Sequence, residues 1–205
     1  DALGGHMAEV IDRTHIHIRM LNTSKGPAVH ALRAQADRPR YSEAMRQAIL
    51  AYPNITLKQD LVEELLVEER DGARKVIGVR GTSGQDYLAQ SVVITTGTFL
   101  GGQIHMGEVS FPAGRSGEPP AIGLSKSLKS HGVQMGRLKT GTTPRLHRDT
   151  IDFSVMEEQA PTGEPLVFSD ISQWTLPERQ LSCYLTRTTA ETKRVILANL
   201  DRSPM

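Results

Sequence analysis

Residues 91–102 read Ser-Val-Val-Ile-Thr-Thr-Gly-Thr-Phe-Leu-Gly-Gly, and no other stretch constrains the fold as tightly. Val92, Val93 and Ile94 form a short, continuous run of β-branched residues, the pattern of a strand buried on both faces. Such strands belong mainly to parallel sheets flanked by helices, so the run points to an α/β fold. The apolar run then stops at Thr95 and Thr96, with Gly97, Gly101 and Gly102 close behind. At the carboxyl end of a buried strand, a backbone without side chains lets a flat or phosphorylated ligand approach closely.

A chain of 205 residues can bury one substantial core. Its 24 Lys and Arg against 23 Asp and Glu leave a formal net charge of +1, so any nucleic-acid contact has to come from a local basic patch rather than the bulk field. Cys183 is the only cysteine, which excludes an internal disulfide and multi-cysteine zinc sites and suits a reducing compartment. No stretch approaches the roughly 18 apolar residues of a membrane span, and there is no basic-then-apolar leader. A soluble, cytoplasmic protein is expected. The chain starts at Asp1 on what looks like a helix, 2–12, and stops at "NLDRSPM" as another helix closes, so both ends read as cuts through a longer protein.

Along the chain, "HIHIRML" suits a strand, and the Gly26- and Pro27-broken stretch after it reads as a functional loop. Met45, Ala48 and Ile49 mark a helix ended by Pro53 and Asn54. The segments "ITLKQD", "VEELLVEE", "KVIGVRG" and "QDYLAQSVVITTG", joined by "RDGAR" and "GTSGQ", read as a β-meander feeding the buried strand. A helix at 122–130, strands near "VQMGRLKTG" and "SCYLTRT", and a helix at 190–200 capped by Thr188 or Thr189 complete the pattern. His15 and His17 share one face of a strand; without a third ligand nearby, they read as a polar face rather than a metal pair. Phe153 and Trp174 read as core anchors.

The order of helix, meander and buried strand ending in Thr-x-Gly is similar to that of FAD-binding domains of the glutathione-reductase type. The motifs "LNTSKGPAV", "RAQADR", "TTGTFLGG", "PAGRSGEPPAIGLS", "GRLKTGTTPR", "IDFS", "CYLT" and "NLDRSPM" fall in the same order from end to end as in the FAD-dependent tRNA-modifying enzymes of the GidA/MnmG family, which the chain resembles over its whole length. The resemblance implies a partial FAD-binding domain, with parallel sheet and β-meander, over 1–149, and the start of an inserted α/β, NADH-binding-like domain over 150–205. It also implies an enzyme that installs a carboxymethylaminomethyl group at C5 of wobble uridine in certain tRNAs. Such an enzyme uses FAD, NADH and a one-carbon unit from methylenetetrahydrofolate, and works as a homodimer with a GTP-hydrolysing partner of the MnmE type. The family's Gly-rich FAD motif and its two catalytic cysteines fall outside the matched stretch, and Cys183 matches a structural strand position. A folate- and FAD-dependent tRNA methyltransferase relative and an inert fragment that only binds a partner or dimerises are the alternatives.

Residue by residue, the resemblance places Val62 where a valine backbone meets the adenine of FAD; read alone, Val62 is equally a strand core residue. Thr96, Gly97 and Thr98 match the strand end beside the dinucleotide, although a Thr-x-Gly turn after a strand is common in itself. Ser24, Lys25 and Gly26 match a flavin-facing loop whose lysine would favour negative charge on a reduced flavin; a solvated loop lysine is the plainer reading. Ala121 stands where the family commonly has a serine near the flavin, so any contact there has to use the backbone. Arg33, Arg137, Lys139 and Arg145 are candidates for tRNA phosphate contacts, against the alternative of a solvated basic face.

Overall fold

The computed structural model describes residues 3–175, 177 and 179–202. It is a mixed α/β structure whose contacts divide into two compact units, the described residues of 3–57 with 143–200, and residues 58–142 with Asp201 and Arg202. The contacts thus group the chain differently from the division at 149 and 150 drawn from the sequence.

In the first unit, helix α1 (Met7–Thr14) runs directly into strand β1 (His15–Leu21), which pairs antiparallel with β2 (Ala31–Ala36). Helix α2 (Arg38–Leu50) follows at once, because the Asp37 carboxylate accepts from the Arg40 amide at 3.3 Å and Pro39 presets the first turn. It therefore starts seven residues ahead of Met45, the first of the apolar residues that mark it. The Nε2 of His6 and the hydroxyl of Tyr52 lie 2.7 Å apart, pinning the start of α1 to the end of α2.

The outer edge of β1 is also used. Leu181 donates its amide to the Ile16 carbonyl at 2.9 Å, and the His17 Nδ1 donates to the Leu181 carbonyl at 3.0 Å. Asp12 is buried and accepts from the amides of Phe168 and Ser169 at 2.8 and 3.0 Å, tying α1 to a segment more than 150 residues away. Both donors are backbone N–H groups, so the carboxylate is satisfied without a cation. His15 is buried too, its Nδ1 donating to the Ile11 carbonyl at 3.2 Å. The polar face expected of His15 and His17 is thus interior, and a β-bulge between them breaks the alternation that suggested it.

Strands β8 (Glu157–Gln159) and β9 (Cys183–Leu185) form a separate antiparallel pair in the first unit, with half-buried Cys183 opposite Gln159. Phe153 packs at a tilt against Tyr184 with ring centroids 4.5 Å apart, as a packing residue should, whereas Trp174 is 38% exposed and anchors no core. Helix α4 (Ala190–Leu197) opens with a capping box in which Thr189 and Thr192 satisfy each other's amides.

In the second unit, β3 (Val62–Arg70), β4 (Ala73–Gly81) and β5 (Asp86–Leu88) form the expected meander. Its first turn places Asp71 and Gly72 at φ 54° and 77°, the geometry that Asp-Gly favours between twisted strands. Strands β6 (Gln103–Met106) and β7 (Val109–Pro112) make a second hairpin. Helix α3 (Ile122–Ser130) lays Leu124 and Leu128 against Leu65, and Ala121, Val62, Val76, Val79, Val92 and Leu100 join the same cluster. Ser127 of α3 also accepts the Leu65 amide at 3.0 Å, satisfying a donor on the open edge of β3.

The parallel sheet is not present: every ladder among the described residues is antiparallel, and the parallel pairing is confined to an isolated bridge between Leu100 and Ala121. Val93 is 86% exposed and Ile94 39%, and residues 91–95 make no backbone hydrogen bond among the described residues. A strand exists only against a partner, and no described strand lies beside this one. The segments "ITLKQD" and "VQMGRLKTG" likewise form no strand.

Truncating Leu124 to alanine should destabilise this small core by about 2 kcal/mol, the low end for a buried leucine because half-exposed neighbours can close in on the cavity. Urea unfolding of the variant against the parent measures this, and an unchanged midpoint would show that α3 does not hold the meander.

Candidate functional site

The glycine turn of the second unit is built from residues 96–102. Phe99 donates its amide to the Thr96 carbonyl at 3.0 Å and accepts from Gly102 at 3.1 Å, closing two successive turns. Gly97 sits at φ +55° in the left-handed region, with open space where a side chain would project. Gly102 is the opposite case: a Cβ there would meet the Thr98 and Ala113 carbonyl oxygens at 2.4 and 2.6 Å, backbone atoms that have no room to move. The Thr98 hydroxyl donates to the Gly114 carbonyl at 2.7 Å, which orients its side chain. The amides of Gly97 and Thr98 have no partner among the described residues, and both residues are exposed. Two free N–H donors on a bare, left-handed turn suit the phosphate or ribose oxygens of a dinucleotide.

Val62 and Ala121 lie close to this turn. Ala121 donates to the Phe99 carbonyl at 2.8 Å and accepts from Gly101 at 3.1 Å, while its methyl group is buried in the core. Its amide is therefore spent on holding the turn. Val62 opens β3 opposite Gly81 and packs against the same core cluster.

In the first unit, Ser24, Lys25 and Gly26 form the tip of the connection from β1 to β2. Asn22 adopts φ 61° and its carbonyl accepts from the Lys25 amide at 2.9 Å, after which Gly26 and Pro27 lead into a single 3-10 turn, Pro27–Val29. His30 Nε2 donates to the Lys25 carbonyl at 3.1 Å, fixing the tip from below. The loop is exposed, and the Lys25 ammonium has no acidic partner among the described residues.

Of the basic candidates, Arg33 projects from β2 opposite Arg19 of β1, a like-charge pair. Arg145 joins Arg38, Pro39 and Ser42 around an open cavity of about 510 Å³. Arg137 and Lys139 lie on an exposed segment of the second unit that has no regular secondary structure.

A polar cluster escaped the sequence reading. The Asp60 carboxylate accepts from the hydroxyls of Ser83, Tyr87 and Thr82 at 2.5, 3.0 and 3.2 Å and from the Leu61 amide at 2.8 Å. The Ser83 hydroxyl above all, then those of Tyr87 and Thr82, hold its pKa below the usual aspartate value, and the same carboxylate raises that of Tyr87. Ser83 and Tyr87 also line a polar cavity of about 630 Å³ with Lys58, Gly84 and Gln85. The acceptor and its donors are 22 to 27 residues apart, so nothing in local spacing announces them.

The model of the family described as glucose inhibited division protein A matches residues 1–205. The chain is 51% identical over 205 residues to the tRNA uridine 5-carboxymethylaminomethyl modification enzyme MnmG of Thermodesulfovibrio yellowstonii, covering 100% of this chain and 32% of that protein. It is 46% identical over 206 residues to the MnmG of Protochlamydia amoebophila, with coverage of 100% and 32%. A crystal structure of Aquifex aeolicus GidA superposes with a TM-score of 0.85 at 41% identity, covering 100% of this chain and 34% of that one. The chain thus spans about a third of the length of the relatives it matches.

Because the folded state holds Asp60 ionised more firmly than the unfolded chain does, its contribution to stability is present above the ordinary aspartate value near 3.8 and is lost as pH falls through the lower folded value. Asp60→Asn should therefore unfold earlier than the parent at pH 7, and the difference should close as the pH is taken below about 4. Urea midpoints across that range test it; a gap that ignores pH would remove the carboxylate from the account.

Proposed function

The chain belongs to the glucose inhibited division protein A family, and on that footing we propose that it forms part of an FAD-dependent enzyme that installs the carboxymethylaminomethyl group at C5 of wobble uridine in tRNA. The observation that carries the cofactor reading is the turn at Thr96–Thr98, where Gly97 and Thr98 are exposed and their amides have no partner among the described residues, beside a left-handed glycine. These donors fit a dinucleotide's phosphate or ribose oxygens, with the Val62 backbone beside the adenine. FAD supplies the redox chemistry when bound, with NADH as reductant and methylenetetrahydrofolate as the one-carbon source.

The chain's own residues act as holders. Gly97 and Thr98 donate hydrogen bonds, Gly102 keeps the turn tight, and Ala121 fixes it to the core. Ser24, Lys25 and Gly26 present a loop whose ammonium, with no acidic partner among the described residues, favours negative charge on a reduced flavin. Arg33, Arg137, Lys139 and Arg145 are read as phosphate contacts to tRNA. The complete protein is read as a cytoplasmic homodimer working with a GTPase partner of the MnmE type. Among the described residues no helix is long and apolar enough to cross a membrane.

The complete protein, purified, should carry the visible absorbance of bound flavin and modify tRNA in the presence of NADH and methylenetetrahydrofolate. Gly97→Val should lower flavin affinity at least about tenfold, since a β-branched residue resists the left-handed conformation. Gly97→Ala, which strains the turn less, should fall between the two. A colourless parent protein that takes up no added FAD would sink the proposal.

A further inference from the structure

Helix α2 begins with cations at its positive end. Arg38 and Arg40 stand in its first turn, where the macrodipole disfavours positive charge, and the turn carries no acidic residue. A broken local rule without a local gain marks a position kept for another purpose. Arg38, Pro39 and Ser42 of that turn, together with Arg145 from a segment more than a hundred residues away, line the open cavity of about 510 Å³.

Neither Arg38 nor Arg145 has a hydrogen-bond or ion-pair partner among the described residues. The acids nearest in sequence are engaged elsewhere. Asp37 caps α2 through the Arg40 amide, Glu43 accepts from Arg46 and Gln47, and Asp149 lies 3.8 Å from the His147 ring nitrogen. Two arginines that line one cavity repel each other, and an anion bound there relieves the repulsion. A guanidinium's fork of N–H donors matches phosphate oxygens, and the Ser42 hydroxyl adds a neutral donor on the same helix face.

We propose that this cavity is a phosphodiester subsite for the RNA substrate, with Arg38 and Arg145 as its two clamps and Ser42 as a third donor. The proposal rests on the tRNA reading and adds Arg38 and Ser42 to it. The cavity is open to solvent, as a strand passing over the surface requires.

The test measures binding of unmodified tRNA to the complete protein across a salt series, for the parent and for Arg38→Ala, Arg145→Ala and Arg38→Lys. Each alanine variant should weaken binding several-fold at low salt and reduce the slope of log affinity against log salt by about 1, while Arg38→Lys keeps most of that slope. Both arginines are exposed, so urea midpoints should not move. Alanine variants with the parent's slope, or a loss of affinity equal at every salt concentration, would overturn the subsite while leaving the tRNA reading intact. Variants that bind tRNA normally but lose affinity for NADH would overturn it in favour of a nucleotide phosphate. A parent protein that binds no tRNA would bring down the tRNA reading itself, and the subsite with it.

Discussion

Two hydrogen bonds at Ala121 organise the second unit. Its amide reaches the Phe99 carbonyl and its carbonyl receives the Gly101 amide, so the glycine turn and the residue that caps α3 are joined backbone to backbone. Each bond is worth on the order of 1 kcal/mol, but their position matters more than their sum. They hold Ala121, the residue capping α3, in place, and so set the stretch over which Leu124 and Leu128 cover Leu65. They also orient the turn so that the Gly97 and Thr98 amides remain unpaired at the surface. Core and candidate site thus share one junction, and a serine hydroxyl in place of the Ala121 methyl would lie in the core.

What could be read from the sequence follows from how local each signal is. Pro53 and Asn54 follow the end of α2 within a few residues, and the Asp71-Gly72 turn sets its own hairpin; both were legible because cause and effect are neighbours. Thr189 was legible as a cap for the same reason. Residues 92–94 show the limit. β-branched composition reports that a segment is fit to be a strand, while pairing depends on another segment, and here none of the described residues supplies it. Asp12 and Asp60 were invisible because a carboxylate held by distant amides or hydroxyls has no spacing to detect. The two histidines misled because a bulge defeats the period of two that the reading relied on.

The candidate site divides in the same way. Gly97 was legible because a positive φ is a local demand that glycine meets. Arg145 was legible as part of a basic run, but its companion Arg38 was hidden inside a helix signature, where its first-turn position looks like ordinary capping context. Ala121 drew notice as a departure from a serine, and its placement gives the physical meaning: a small apolar side chain is suited to a position whose polar backbone atoms already hold the turn.

The stretch 91–98 joins two properties that are each costly alone. Val93 and Ile94 expose apolar surface, and the same few residues leave backbone donors and acceptors without partners. Water can serve the backbone groups but not the valine and isoleucine side chains, and burial of those side chains would leave the amides unsatisfied unless a partner brought hydrogen bonds with it. An adjacent strand meets both needs together, for it offers carbonyls and amides in register and covers the faces above and below. Beyond Thr96 the requirement changes, because Gly97 turns the chain at a positive φ and the amides of Gly97 and Thr98 have no backbone partner among the described residues. The point where β-branched residues give way to glycine is thus where the backbone passes from needing a strand to being free for a ligand.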